Sequence, residues 1–351
     1  MMDDLPLSLN DFDFEYPEDL VAQEPVSPRG ASRLLVVADG GQLRATTFSE
    51  LSGLLRPNDL LVLNVTKVIK ARVSARKETG GRVELLFERA IEVHADGSST
   101  WLSLARPAKG LKPGGFLYCD NIKLQIGERQ GMFVEVKLPV AAEEFFPRYG
   151  SLPLPPYIYR DARSDDDVSY QPIFAKELGA VAAPTASLHF TEAHLEALQT
   201  AGVKVAQLTL HVGSGTFLPI RREHAEDVRQ HQMHRERYQI PAETLELIAE
   251  TKAAGGRVVA VGTTAVRALE SYGATDEAQG DTSLFIYPGF SFQIVDAMIT
   301  NFHQPRTTLL MMVSAFAGKD VVLPAYEFAI KEKFRLFSYG DAMFLERAKS
   351  E

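Results

Sequence analysis

The sequence holds a single cysteine, Cys119, so no disulfide can form within the chain, which fits a reducing compartment. Flanked by Leu117 and Tyr118, that thiol reads as a packed small hydrophobe. No run approaches the roughly 18 apolar residues of a membrane span. The first 24 residues contain no Lys or Arg and eight carboxylates, from Asp3 to Glu24, the reverse of a targeting peptide. A cytoplasmic protein is expected. Also missing are a G-x-x-x-x-G-K-[ST] loop, an H-E-x-x-H pair, a C-x-x-C pair and a G-x-G-x-x-G turn opening a helix. Their absence disfavours the usual nucleotide kinases, zincins and dinucleotide dehydrogenases.

What is present is ordinary for a folded protein: 351 residues, 45% apolar and 24% charged, enough for one large or two medium domains. The net charge of -9 argues mildly against a polyanionic partner. Basic residues nevertheless gather between Lys67 and Arg89. Lys67, Arg72, Arg76 and Lys77 form a candidate phosphate-facing set, with a solvated charged face as the alternative.

The chain has two textures. Short strand-like runs at 68–75, 82–87, 100–105, 116–118, 123–126 and 132–138 are separated by Gly-, Pro- and Asp-rich breaks, which predicts a small antiparallel barrel or sandwich. Elsewhere strands (59–64, 203–212, 257–261) alternate with helices (191–201, 242–254, 263–272, 307–317, 325–335), an α/β texture. The expected architecture is a mixed α/β domain from both chain ends, 1–66 and 150–351, with an inserted antiparallel β-barrel, 67–149. The second junction falls near the proline-dense 147–157.

Five loops carry candidate chemistry. The run from His211 through Gly213, Gly215 and Thr216 leaves a strand's carboxyl end, where α/β sheets bind ligands; a tight bend is the alternative. Gly262-Thr263-Thr264 opens a helix whose free N–H groups can hold an anion, with Arg267 one turn in; capping by Thr263 and an Arg267–Glu270 pair would explain it as well. A strand at 233–240 would put His234, Glu236 and Tyr238 on one face. That row suits proton transfer, a plain polar sheet face or, with His231, a metal. Small residues surround Thr185 and His189 in 179–190. Last, Tyr287, Phe290 and Phe302 offer rings to a base, and Asn301 and His303 offer hydrogen bonds to its edge. The Met-rich 309–316 reads as core.

These strings, with 11–17, 31–35, 59–72, 79–84, 149–158, 300–318 and 337–342, resemble the S-adenosylmethionine:tRNA ribosyltransferase-isomerase family of queuosine biosynthesis nearly end to end. The resemblance implies transfer and isomerisation of the ribosyl part of S-adenosylmethionine onto 7-aminomethyl-7-deazaguanine at the wobble position of tRNA with a GUN-type anticodon. The product is epoxyqueuosine-tRNA, and adenine and methionine leave. S-adenosylmethionine is a substrate, and no metal or cofactor is implied. A monomer without an obligatory protein partner is expected. His189, His211, His234, Glu236 and His303 become candidates for proton transfer. Arg33, Arg267 and Gly262-Thr263-Thr264 become candidates for the methionine carboxylate. Asn64, Thr66, Thr185, Gly213, Gly215, Thr216, Tyr287 and Asn301 complete the expected substrate contacts. Against the family pattern, Val65 replaces a usual aspartate, Lys70 a common proline and Ser187 a usual glycine. The competing readings are a methyltransferase, a metal-dependent hydrolase and a tRNA-binding protein without turnover.

Overall fold

A computed structural model describes residues 7–217, 220 and 224–348, without the side chains of 216 and 217. Nine strands form one sheet in the order Gln279–Thr282, Glu236–Gln239, Lys204–Leu210, Leu60–Asn64, Val258–Val261, Ala297–Asn301, Ala342–Glu346, Arg33–Val37 and Leu43–Thr47. The four from Lys204–Leu210 to Ala297–Asn301 run parallel. Their outer neighbours, Glu236–Gln239 and Ala342–Glu346, run antiparallel to them.

Leu60–Asn64 is buried at every position, as a parallel strand covered on both faces must be. Its residues alternate between cores. Leu60 and Val62 join the larger cluster on one face, whereas Leu61 and Leu63 join the cluster on the other. Helices Thr263–Thr275 and Thr308–Ala317 cover the first face, and Met311 and Met312 are core as expected. Helix Glu192–Thr200 packs on the second face through Leu198, with Thr191 capping its start by accepting from the His194 N–H.

The second sheet closes. Strands Arg72–Lys77, Arg82–Val93, Ser99–Arg106, Phe133–Leu138, Ile122–Gln130 and Phe116–Cys119 pair in turn, and Arg72–Lys77 pairs with Phe116–Cys119 to seal a six-stranded antiparallel barrel. Its interior holds Val73, Leu85, Phe87, Trp101, Leu117, Leu124 and Val136, with Phe145 and Phe146 from helix Ala142–Tyr149. Cys119 is buried there. Burial pushes its thiol up to about 11, so it is inert at neutral pH.

Three expectations shift. Thr66–Val68 lies outside the barrel and pairs with Glu177–Ala180. The last long helix starts early, at Lys319, directly after Gly318 ends its predecessor, and keeps Pro324 inside it. The strand expected at 233–240 shrinks to Glu236–Gln239, the stretch that has pairing partners on both sides. His234 therefore lies outside the strand and shares no strand face with Glu236 and Tyr238. Among the described residues, no single helix is long and apolar enough to cross a membrane.

Candidate active site

The parallel strands end at one edge, and each runs into a loop rich in small or polar residues. Val258–Val261 runs into Gly262, whose φ of +86° is a conformation that favours glycine. The turn starts helix Thr263–Thr275, and Ala265 and Val266 make the first bonds back to the Gly262 carbonyl. The Thr263 and Thr264 N–H groups precede those bonds, so they face outward from the helix start with its partial positive charge. Beside them, Ala297–Asn301 delivers Thr300, Asn301, Phe302 and His303. The 3-10 turn Thr185–His189 supplies Thr185 and Ala186. Together with Tyr157, Phe337 and Ser338 these line a cleft. Its inner volume is about 50 Å³, and it reaches about 610 Å³ with its solvent-filled mouth.

Within the cleft, the Asn301 amide donates to the Phe337 and Ser338 carbonyls at 2.9 and 3.4 Å, fixing the C-terminal loop as one wall. His303 Nε2 lies 2.8 Å from Thr300 Oγ1, and burial pushes its pKa down to about 3. Outside the cleft, His189 borders a separate groove with Arg29 and Tyr339 and lies 2.7 Å from Ser32 Oγ. Burial pushes it down to about 4, against a raising contribution from Asn301. Both imidazoles are neutral at pH 7. They orient hydrogen bonds but are not imidazolium acids at that pH.

A second polar cluster surrounds the loop after Lys204–Leu210. Glu236 accepts the Gly213 N–H at 2.8 Å and forms an ion pair with Arg267. Arg267 is only 4% exposed, and burial lowers its pKa to about 10. From the barrel strand Arg82–Val93, Glu88 accepts the Ser214 N–H with both oxygens, at 2.9 and 3.1 Å. Burial raises its pKa. A Cβ at 213 would lie 2.4 Å from Glu88 Oε1, so a larger residue there would displace that carboxylate. At 215 a Cβ would lie 2.7 Å from the His234 ring.

The cleft thus brings together Thr185, Gly262, Thr263, Thr264, Asn301 and His303 of the expected site. Gly213, Gly215, His234 and Glu236 gather at the second cluster. The Thr216 side chain lies outside the described residues. Several expectations are corrected. Arg267 is spent on Glu236, neither open to a carboxylate nor paired with Glu270, whose carboxylate instead accepts the N–H groups of Gln293, Ile294 and Val295. Arg33 is away from the cleft lining: its guanidinium stacks 3.7 Å from the Phe334 ring centroid and donates to the Glu332 carbonyl.

Asn64 and Thr66 are fully buried. Asn64 bonds both backbone groups of Leu210 and reaches Thr264 Oγ1, and Thr66 Oγ1 lies 2.8 Å from His211 Nδ1. Their work is to hold loops. His211 faces a separate surface pocket with Arg237 and Tyr238. Tyr287 and Phe290 pack on the core, and only Phe302 of the three expected rings lines the cleft. The basic set is dispersed. Lys67 borders a cavity with Trp101 and Phe146, Arg72 a different groove, and Arg76 and Lys77 bond the Gly80 and Lys109 carbonyls at one barrel end.

Sequence reasoning missed Glu88, Tyr157, Phe337 and Ser338. Tyr157 and Ser338, whose hydroxyls meet at 2.7 Å, are far apart in sequence, and Glu88 sits in a run of barrel charges. No local signal marks any of them. Among the described residues, no cluster of three His, Cys, Asp or Glu is arranged to hold a metal, and the Glu236 carboxylate proposed for one is already engaged.

The model of the queuosine biosynthesis protein family matches residues 9–345. The chain is 50% identical over 345 residues to the S-adenosylmethionine:tRNA ribosyltransferase-isomerase of Thiobacillus denitrificans, covering 97% of this chain and 98% of the relative. It is 49% identical over 349 residues to that of an Azoarcus species, covering 98% and 99%. The crystal structure of S-adenosylmethionine tRNA ribosyltransferase from Thermotoga maritima superposes with a TM-score of 0.55 at 37% identity, covering 95% of this chain and 99% of that one. With matches spanning both the barrel and the nine-stranded sheet, the chain belongs to the queuosine biosynthesis family of S-adenosylmethionine:tRNA ribosyltransferase-isomerases.

Proposed function

We propose that this chain is a transferase that moves and isomerises the ribosyl part of S-adenosylmethionine onto 7-aminomethyl-7-deazaguanine in tRNA, giving epoxyqueuosine and releasing adenine and methionine. The observation that carries the reading is the family match over residues 9–345. The catalytic unit in this reading is 1–66 with 150–351, and 67–149 is the inserted barrel. It acts as a monomer in the cytoplasm on tRNAs with GUN-type anticodons.

The donor's methionine carboxylate suits the Thr263 and Thr264 N–H groups, because a helix start favours an anion. Tyr157, Phe302 and Phe337 offer apolar faces to the adenine, and Asn301 and Gln304 offer polar edges. The inner cleft is narrow, so only one end of the donor fits inside it and the remainder occupies the mouth. The sulfonium acidifies the adjacent ribose methylene, so a base of modest strength suffices. Departing adenine needs a proton. His303 and His189, neutral at pH 7, serve orientation in this scheme. Glu88, Glu236 and His234 are the titratable groups beside the adjoining Gly213 loop.

Incubation with S-adenosylmethionine and tRNA bearing the aminomethyl-deazaguanine should release adenine and methionine. S-adenosylhomocysteine as the product would mean methyl transfer instead. Folded protein that binds the tRNA yet releases no adenine would refute the enzyme reading. Val65 does not line the cleft, so turnover is expected with valine in place.

A further inference from the structure

The cleft has a neighbour. Two backbone segments separate it from a larger groove, and they are bonded to each other through the Val181 N–H and the Val212 carbonyl at 2.8 Å. Ala183 and Val212 line the cleft, whereas Val181 and Ser214 line the groove. The groove holds about 580 Å³ between the barrel and the proline-rich connector 151–162, a volume of the size that small-molecule sites occupy.

Its charges are unevenly matched. Arg106 stands opposite Glu84 in strand register, but Glu84 pairs with Arg72 at 3.7 Å. Arg72 also donates to the Leu154 carbonyl. Arg106 is exposed and has no hydrogen-bond or ion-pair partner among the described residues. Across the groove, Tyr159 is 74% exposed, although its backbone is pinned by an N–H bond to Gln23 Oε1 at 2.8 Å. An aromatic ring held in water across a groove from an unpaired guanidinium is a pairing that can stack an unstacked base and neutralise its phosphate.

We propose that this groove receives a loop nucleotide of the RNA next to the acceptor, with Tyr159 stacking on its unpaired base and Arg106 meeting a backbone phosphate. The assignment rests on tRNA being the acceptor, as argued above. It places that nucleotide one backbone layer from the donor cleft, with the Glu88-capped Gly213–Ser214 loop between the two.

The test reads RNA affinity directly, without turnover. The probe is an RNA hairpin with the anticodon stem and loop, labelled for fluorescence anisotropy. Tyr159→Ala and Arg106→Ala both alter exposed side chains, and each should raise its Kd about tenfold. Arg106→Ala should also lower the slope of log Kd against log salt by a little under one. Arg44→Ala, at an exposed position on edge strand Leu43–Thr47, should change neither. In full-length tRNA assays the two groove variants should raise the KM for tRNA and leave the KM for S-adenosylmethionine within about twofold. Hairpin affinity unchanged in both variants, or absent in the wild type, would overturn the groove assignment. Wild-type binding without adenine release would count against the reaction and leave the groove assignment standing.

Discussion

His189 and His303 show what burial does to a titratable side chain. His189 ends the 3-10 turn Thr185–His189 and His303 follows strand Ala297–Asn301; each is bonded to a hydroxyl, and burial holds them at about 4 and about 3 against an ordinary 6.5. The unfolded chain binds protons at these positions below pH 6.5, whereas the folded chain does not. Their stabilising contribution is therefore complete above pH 6.5 and is lost as the pH falls toward 4 and 3. Denaturation midpoints measured from pH 7.5 to 4.5 should fall on acidification. His303→Gln should flatten that dependence by up to about 1.4 kcal/mol per pH unit; an unchanged slope would mean the imidazole is not neutral in the fold. The departures from the family pattern also have local accounts. Lys70 pairs with Asp167 at 2.6 Å. Val65 packs in a buried position while its backbone bonds Leu208, Lys176 and Glu177. For Ser187, whose buried hydroxyl lacks a partner among the described residues, nothing in the structure explains the choice.

At the scale of elements, the Arg267–Glu236 pair ties helix Thr263–Thr275 to the strand Glu236–Gln239 and thereby to the Gly213 loop. Glu236→Gln leaves a buried guanidinium without its counter-charge, a change that costs about 3–5 kcal/mol. Urea denaturation should report a loss of that order. The double replacement Glu236→Leu with Arg267→Met should recover a good part of it, because the charges leave together. The pair also marks where reading the sequence stops. Alternation exposed the barrel strands, and runs such as Leu-Leu-Val-Leu exposed the buried parallel ones, because both patterns are local consequences of which faces meet water. Gly262-Thr263-Thr264 was legible because a helix start leaves its own signature. The partner of Arg267 was not legible, since it sits on a strand three neighbours away in the sheet. Spacing alone suggested Glu270, which the structure instead uses to cap the backbone of 293–295. The His234 row failed for a related reason: strand length is set by pairing partners, and these exist only from Glu236 onward.

For the molecule as a whole, one long barrel strand, Arg82–Val93, makes polar contacts with the Gly213 loop and with the edge of the nine-stranded sheet. Glu88 holds the Ser214 N–H, and next to it Arg89 meets Asp281 on the sheet's edge strand at 3.4 Å. Glu88→Ala should free the Gly213–Ser214 loop while leaving the barrel interior intact. Amide exchange in that loop should accelerate at least about tenfold, equivalent to losing roughly 1.4 kcal/mol of protection, with barrel-core amides unchanged. Uniform acceleration across the barrel would show that Glu88 supports the barrel itself instead.

The position of the barrel also bears on how the chain is made. It enters directly after Leu60–Asn64, the fully buried strand at the sheet's centre, whose two neighbours, Lys204–Leu210 and Val258–Val261, emerge from the ribosome much later. Four of the barrel's six pairings join successive strands, and all six lie within residues 72–138, so it can close as soon as its residues are out. The central strand must wait, with its apolar side chains and both hydrogen-bonding edges uncovered, until most of the polypeptide has been translated. Growing chains are thus most prone to aggregation in the interval between completion of the barrel and arrival of Val258–Val261, and that interval is when chaperones should engage them.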